Sequence, residues 1–207
     1  MIASLKKDFS RCASQEQIER TARALEENGF HTLIAEDRDQ ARQLFFQLIP
    51  EGAQVHQGAS STLVELGITA ELEQSGRFVA LRPQLRALDR QTQADQIRRL
   101  GASPDYITGS VAALTEDGHA LAASASGRQL GPYVSGAGHV IWVVGAQKIV
   151  INLEEGFRRI VEYALPLEEE RLFKASAMHT SLNKVVVFYK ERPGRITIIL
   201  VKQALGY

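Results

Sequence analysis

Three short stretches of the sequence combine glycine with hydroxyl-bearing or basic residues, which is the chemistry needed to hold an anion. The first is GASST at residues 58–62, the second is TGS at residues 108–110, and the third is ASASGRQLG at residues 123–131. Glycine lets a ligand approach the backbone, hydroxyls and backbone amides donate to phosphate or carboxylate, and a guanidinium can pair with either in a bidentate manner. The candidate ligand-binding residues are Gly58, Ser60, Ser61, Thr62, Thr108, Gly109, Ser110, Gly127 and Arg128.

Each stretch also has a purely structural explanation. Thr62 and Glu65 have the spacing of a helix capping box, so the hydroxyls of GASST could serve only their own helix. The small residues of TGS could serve only to let the chain turn, and Arg128 could be an ordinary exposed charge. The residues alone leave both explanations open.

Three further residues are candidates because of their positions. His56 precedes GASST, and Lys148 follows an apolar run and could reach an anion. Glu116 stands beside Asp117, and two adjacent carboxylates could provide an acid–base group. The pair Asp117-Gly118 is nevertheless typical of a hairpin turn, which explains these carboxylates better than catalysis does. No residue is assigned a catalytic role.

The sequence lacks the signatures of several common protein classes. Its five histidines have no metal-ligand spacing, and the single cysteine, Cys12, excludes a cysteine-based metal or iron–sulfur cage built by this chain alone. No nucleophile elbow, P-loop lysine or complete dinucleotide fingerprint is present. We predict no resident metal, and the sequence leaves the cofactor and the question of catalysis open.

Charge and hydropathy bear on partners and location. Basic and acidic residues both number 24, so no global positive field exists to gather nucleic acid, which we exclude as a partner. No window approaches the roughly 18 apolar residues of a membrane span, and the first ten residues lack the apolar core of a secretory signal. We expect a cytoplasmic chain without a membrane partner.

Apolar periodicity predicts strands that alternate with helices along most of the chain. A helix is expected over residues 14–29, and the unbroken apolar run at residues 140–144 is typical of a strand buried on both faces of a parallel sheet. Two strands around Pro193-Gly194 are predicted to form a C-terminal antiparallel hairpin. Such a hairpin could also pair with another subunit, so a homo-oligomer is an open expectation.

These elements indicate a single α/β domain over residues 1–207, with the helix at residues 14–29 packed on it. Its architecture is predicted to be a three-layer sandwich with a largely parallel sheet and the C-terminal antiparallel hairpin. Ligands of open α/β sheets bind beyond the carboxyl ends of the strands, which is where GASST and TGS are expected. The residues therefore predict an α/β protein that binds a small anion.

Four segments of the chain, at residues 49–68, 105–128, 139–160 and 196–207, together resemble the LUD domain of LutC-like lactate utilization proteins. They include QVHQGASSTLVELG, DYITGSVAALTEDGHALAASASGR, HVIWVVGAQKIVINLEEGFRRI and ITIILVKQALGY. The resemblance implies a NagB/RpiA/CoA transferase-like fold, in which a loop like GASST cradles phosphate. It also implies association with iron–sulfur partner subunits that oxidise lactate to pyruvate.

Two departures from the family pattern limit what the resemblance implies. At Gly109–Val111 a valine stands where the isomerases of the superfamily have an acidic residue, so an isomerase activity is less expected. The segment Lys174–Lys184 lacks the cysteines of many relatives, so thiolate ligation is absent there. Two alternatives to a lactate-utilization component stay open, namely a stand-alone sugar-phosphate isomerase or CoA transferase-like enzyme, and a non-catalytic interaction module.

Overall fold

The computed structural model describes residues 8–207, so the expectation about a secretory signal lies partly outside the described residues. The helices are α1 (Gln15–Glu27), α2 (Arg38–Gln47), α3 (Ser61–Glu65), α4 (Ile68–Gln74), α5 (Leu81–Ala87), α6 (Ala94–Ala102), α7 (Leu153–Arg159) and α8 (Leu165–Ser176). The strands are β1 (His31–Ala35), β2 (Gln54–Gln57), β3 (Val79–Ala80), β4 (Tyr106–Gly109), β5 (Ala113–Thr115), β6 (Ala120–Ser124), β7 (His139–Gly145), β8 (Ile149–Val150), β9 (Lys184–Phe188) and β10 (Ile196–Val201). None of the helices in this part of the chain has the length and apolar character needed to cross a bilayer.

Helix α1 begins and ends where its sequence indicates. The Ser14 hydroxyl accepts a hydrogen bond from the Gln17 amide, and the Gln17 side chain accepts one from the Ser14 amide. These reciprocal bonds satisfy two amides that would otherwise lack partners at the start of the helix. Ile18 and Leu25 lie on the buried face of α1 and pack into the core, so the predicted N-terminal helix is confirmed.

The larger sheet has six strands in the order β1-β10-β7-β4-β2-β3, and every pairing in it is parallel. Apolar residues of α2, α3 and α4 pack against one face, and α1 packs against the other. The predicted three-layer α/β sandwich with a largely parallel sheet is confirmed. Because all six strands run in one direction, their carboxyl ends lie along the same edge, where the loops after β2, β4 and β7 meet.

A smaller sheet of four strands, in the order β8-β5-β6-β9, packs beside α1 on the second face of the larger sheet. Strands β5 and β6 form the antiparallel hairpin that Asp117-Gly118 predicts, with Gly118 at a φ of +84° in its turn. Apolar residues of α7 and of the following π-helical turn cover the outer face of this sheet.

The predicted C-terminal hairpin is wrong. Strand β9 pairs antiparallel with β6 in the smaller sheet, whereas β10 lies between β1 and β7 in the larger one. The physical reason is burial. Nearly all residues of β10 are buried, as suits a central strand of a parallel sheet, while most residues of β9 are only partly buried, as suits a sheet edge.

Candidate functional site

The ends of three neighbouring strands bring a buried lysine together with two of the predicted loops. GASST follows β2, TGS ends β4, and the short 3₁₀ turn Ala146–Lys148 follows β7. Lys148 donates hydrogen bonds from Nζ to the Ser110 hydroxyl at 3.0 Å and to the Thr62 hydroxyl at 3.2 Å. One residue from each predicted loop therefore contacts the same amine.

The two hydroxyls can only accept from Lys148, because their own protons are already used. Ser110 Oγ donates to the Val143 carbonyl at 2.7 Å, and Thr62 Oγ1 donates to the Leu205 carbonyl at 3.3 Å. Lys148 has only 2% of its surface exposed, and no carboxylate of residues 8–207 lies within ion-pair distance of it. Two of the three hydrogen-bonding positions on Nζ are filled, and the third has no partner among the described residues.

Burial sets the charge of this amine. It lowers the pKa of Lys148 to about 7, the positive charge of Arg159 lowers it as well, and Glu65 opposes both effects. Loss of hydration disfavours the ammonium form, and no carboxylate among the described residues forms an ion pair with it to compensate. Neutral amine and ammonium are therefore both substantially populated near pH 7.

Arg159 is a second buried cation beside this site. Its Nη1 donates to the Ala112 carbonyl at 2.5 Å and its Nε donates to the Gln147 carbonyl at 3.4 Å, while its guanidinium lies 5.1 Å from the centre of the Tyr163 ring. Burial lowers the pKa of Arg159 to about 10, so the group stays charged at neutral pH. Its Nη2 is buried without a hydrogen-bond partner in the described part of the chain.

The Tyr133 hydroxyl lies between the two loops. A Cβ added to Gly109 would stand 1.9 Å from this hydroxyl oxygen, and one added to Gly58 would stand 3.3 Å from it. Burial raises the pKa of Tyr133, and the nearby Trp142 indole and Ser110 amide act in the opposite direction to a smaller extent, so the phenol stays protonated. These two glycines thus make room for Tyr133, a residue that the sequence gave no reason to single out.

Three buried polar atoms at the ends of β2 and β4 have no hydrogen-bond partner among residues 8–207. They are Nδ1 of His56, Oε1 of Gln57 and Oγ1 of Thr108, and Gln57 and Thr108 are neighbours in the strand pairing. Burial lowers the pKa of His56 to about 4, with the charge of Arg82 acting in the same direction, so His56 is neutral at pH 7. Gln57 is not among the residues that the sequence predicts, although a glutamine directly before Gly58 at a strand end is a usable signal.

Comparison with known proteins assigns the family. The family model of the LUD domain matches residues 18–205. The chain belongs to the LUD domain family. A crystal structure of a DUF162 family protein from Deinococcus radiodurans has a similar fold, with a TM-score of 0.58 and 14% identity over 92% of this chain and 99% of that chain. Comparison with curated proteins gives no match.

GASST in this LUD domain caps its helix differently from the prediction. Ser60 is the N-cap of α3 and its hydroxyl accepts from the Leu63 amide at 3.3 Å, so the predicted capping box of Thr62 and Glu65 is wrong. The chain enters the helix two residues earlier than that prediction requires, which leaves the Thr62 hydroxyl free to contact Lys148. Glu65 instead accepts from the Gly206 amide.

Residues Leu205–Tyr207, hereafter the cover segment, lie against GASST. An ideal Cβ on Gly206 would stand 2.5 Å from Thr62 Oγ1 and 2.7 Å from Ser61 Oγ. The Gln147 side chain donates to the carbonyls of Leu205 and Gly206 at 2.8 Å and 3.1 Å. The cover segment therefore contacts GASST and the 3₁₀ turn, which lie on either side of the Lys148 amine. All three lie at the carboxyl-terminal edge of the larger sheet, hereafter the rim.

Gly127 and Arg128 border the two loops without contacting Lys148. Gly127 has a φ of +81°, and its amide donates to Ser124 Oγ at 2.9 Å. The next residues run past Gly58, where an added Cβ would stand 3.4 Å from Gln129 Cβ. The Arg128 side chain is exposed and makes no hydrogen bond to any described residue.

The adjacent carboxylates lie elsewhere in this LUD domain. Glu116 forms an ion pair with Arg20 of α1 and accepts a hydrogen bond from Gln17 at 2.8 Å, and Asp117 lies 3.2 Å from His119. These contacts involve α1 and the hairpin turn, so the structure does not bring Glu116 to the Lys148 amine. No group of three or more histidine, cysteine, aspartate or glutamate side chains in residues 8–207 could hold a metal ion.

Proposed function

We propose that this LUD domain binds a small anionic ligand of the phosphate, carboxylate or CoA type at Lys148. The proposal rests on one observation: the third hydrogen-bonding position of the Lys148 amine has no partner among the described residues, although the side chain is buried. An anionic oxygen at this position would accept the third N–H and supply the missing countercharge. Ligand binding would then favour the ammonium form.

The surroundings of Lys148 support an anion rather than a cation. Arg159 adds a fixed positive charge, and the hydroxyls of Ser60, Ser61 and Thr108, unlike those of Thr62 and Ser110, have protons that no hydrogen bond to a described residue uses. Oγ1 of Thr108 and Nδ1 of His56, which have no hydrogen-bond partner among residues 8–207, are additional polar atoms at the ends of β4 and β2. The proposed ligand-binding set keeps both loops, namely Gly58, Ser60, Ser61, Thr62, Thr108, Gly109 and Ser110, with Gly127 and Arg128 at its border.

The test is a thermal-shift and calorimetric screen with phosphate, lactate, pyruvate, sugar phosphates and CoA esters. A ligand at 100 times its dissociation constant adds about 2.7 kcal/mol of stability, which is a shift of a few degrees for a domain of this size. Lys148→Met should abolish the shift, and Ser110→Ala should reduce it. Lys190→Met, which removes an exposed lysine, is the matched control and should leave the shift intact. A shift that persists in Lys148→Met contradicts the proposed site.

For the cellular role we propose a cytoplasmic component of lactate utilization that works with iron–sulfur subunits in the oxidation of lactate to pyruvate. Membership of the LUD domain family supports this role. Copurification of the chain with a subunit bearing iron–sulfur centres is the expected result. Lactate oxidation by the isolated chain would contradict a role as one subunit among several.

The geometry gives less support to a stand-alone isomerase or CoA transferase. Such an enzyme needs a carboxylate aimed at its ligand, and Glu116 is instead paired with Arg20. A pure interaction module predicts no effect of any small ligand, so the same thermal-shift screen separates it from the anion-binding proposal.

A further inference from the structure

We propose that Lys148 is a nucleophile whose amine forms an imine with the carbonyl carbon of a ligand that carries both an aldehyde or ketone group and an anionic group. This inference rests on the proposed anion site and adds the chemical class of its ligand. In the neutral amine the third position of Nζ holds the lone pair, so the carbonyl carbon of the ligand takes that position and the anionic group of the same ligand lies beside it. The inference follows from the hydrogen bonds around Nζ, from the burial of the side chain and from the charges that face it.

The hydrogen bonds orient the amine. Because Ser110 donates its proton to Val143 and Thr62 donates to Leu205, both hydroxyls must accept from Nζ. A neutral amine has two N–H groups, and these two acceptors use both. Its lone pair is then the group left at the remaining tetrahedral position, where it meets no donor among the described residues. A nucleophilic amine needs this arrangement.

The number of hydrogen-bond acceptors around Lys148 Nζ also disfavours the ammonium form in the absence of ligand. An ammonium would have a third N–H, which finds no acceptor among the described residues although it is buried, and a buried donor without an acceptor is destabilising. Arg159 adds repulsion, and Glu65, the acidic group that opposes this effect, already accepts from the Gly206 amide and pairs with Arg38 at 3.8 Å. The depressed pKa of Lys148 agrees with this geometry.

The reaction balances without a further reagent. The lone pair of Lys148 Nζ forms a bond to the carbonyl carbon, and both hydrogens of the amine leave with the carbonyl oxygen as one molecule of water. No electrons are gained or lost overall. Tyr133, whose phenol stays protonated between Gly58 and Gly109, is a hydrogen-bond donor at the same rim.

Borohydride trapping tests the inference on the intact chain. Incubation with pyruvate or glyoxylate followed by borohydride should reduce the imine to a secondary amine and increase the mass of the chain by that of the acid less one oxygen atom. Peptide mapping should place the adduct on Lys148. Lactate is the matched ligand control, because it has the carboxylate but no carbonyl and should give no adduct.

The dependence of labelling on pH separates Lys148 from other lysines and needs no variant. The labelling rate at Lys148 should reach half of its maximum near pH 7, well below the pKa of about 10.4 of a lysine in a model peptide. Lys148→Met should lose the adduct entirely, and Lys190→Met should retain it. If Lys148→Met does not fold, the peptide map and the pH profile of the unmodified sequence decide the outcome.

The results distinguish the two proposals. A pyruvate-induced thermal shift without any adduct at Lys148 overturns the imine and leaves anion binding standing. Adducts confined to exposed lysines also overturn it. The absence of both a thermal shift and an adduct contradicts the anion site and the imine together.

Discussion

The hydroxyl of Tyr133 fills the space in which a side chain on Gly109 would stand, 1.9 Å from the position of its Cβ. A strand from the larger sheet and a π-helical turn at Pro132–Gly136 thus meet through a glycine and a phenol. The contact couples the shape of the rim at TGS to a side chain that is remote in sequence. This glycine is needed for packing whether or not a ligand also uses the space.

Gly109→Ala should destabilise the fold because the new methyl group overlaps buried Tyr133. Overpacking of this kind costs about 1–3 kcal/mol, measurable by urea denaturation. Gly131→Ala is the control, because no atom of residues 8–207 lies within 4 Å of an added Cβ there. Combining Gly109→Ala with Tyr133→Phe should recover part of the loss, since the hydroxyl is the closest atom. Equal stability of the Gly109 and Gly131 variants would refute the overlap.

Lys148 should make stability depend on pH on the alkaline side of neutrality. Its folded-state pKa of about 7 lies below the ordinary lysine value, so between the two values the unfolded chain binds one more proton than the folded one. The free energy of unfolding should therefore rise with pH above about 7, by about 1.4 kcal/mol per pH unit from this group. Lys148→Met should remove this contribution, and Lys190→Met should not. The measurement is urea denaturation at several values between pH 7 and 9.

His56 should contribute to acid sensitivity. Its folded-state pKa of about 4 lies below its ordinary value of 6.5, so the unfolded chain takes up the proton first as the pH falls. Stability should decline by up to about 1.4 kcal/mol per pH unit from pH 6.5 towards pH 4. His56→Gln should flatten this part of the stability profile, which is measured by thermal denaturation at several pH values. The control His139→Gln, which changes an exposed histidine, should leave the slope of the profile unchanged. A slope that is the same in both variants would contradict the assignment.

Gly206→Ala should detach the cover segment from GASST. The left-handed conformation at a φ of +59° costs an alanine about 1–2 kcal/mol, and its Cβ would also overlap Thr62. Gly194→Ala isolates the second effect, because Gly194 has a φ of +88° but an added Cβ there has no atom of the described part of the chain within 4 Å. Borohydride labelling of Lys148 should become faster in Gly206→Ala than in Gly194→Ala. Equal rates would show that the cover segment does not limit access.

The sequence predicts the sheet well and the core of the site only in part. Loops at strand ends follow from local patterns, so GASST and TGS are recognisable as rim elements. The partners of Lys148 depend on a side chain reaching across neighbouring strands, which no local pattern encodes. Arg128 attracts attention because of its type, yet its exposed side chain has no described partner, while Arg159 lies in a helix and gives no local signal of burial.

The pairing of β10 is likewise only partly predictable from the sequence around it. The apolar run of β10 has the composition of a central strand, as the run in β7 does, but proximity to β9 along the chain favours a hairpin in any local interpretation. Burial on both faces outweighs that proximity, and the two strands join different sheets. Long-range pairing is therefore the part of the fold that adjacent residues do not determine.

The central position of β10 also bears on how the protein is made. Strand β1 is held in the larger sheet through β10, which follows every other strand in chain order. During synthesis from the amino end, β1 has to wait until residues 196–201 have left the ribosome, and only then can the sheet close around them. Until β10 has emerged, β1 lacks the strand that holds it in the larger sheet, and the edge of β7 that β10 covers in the folded protein is open to water.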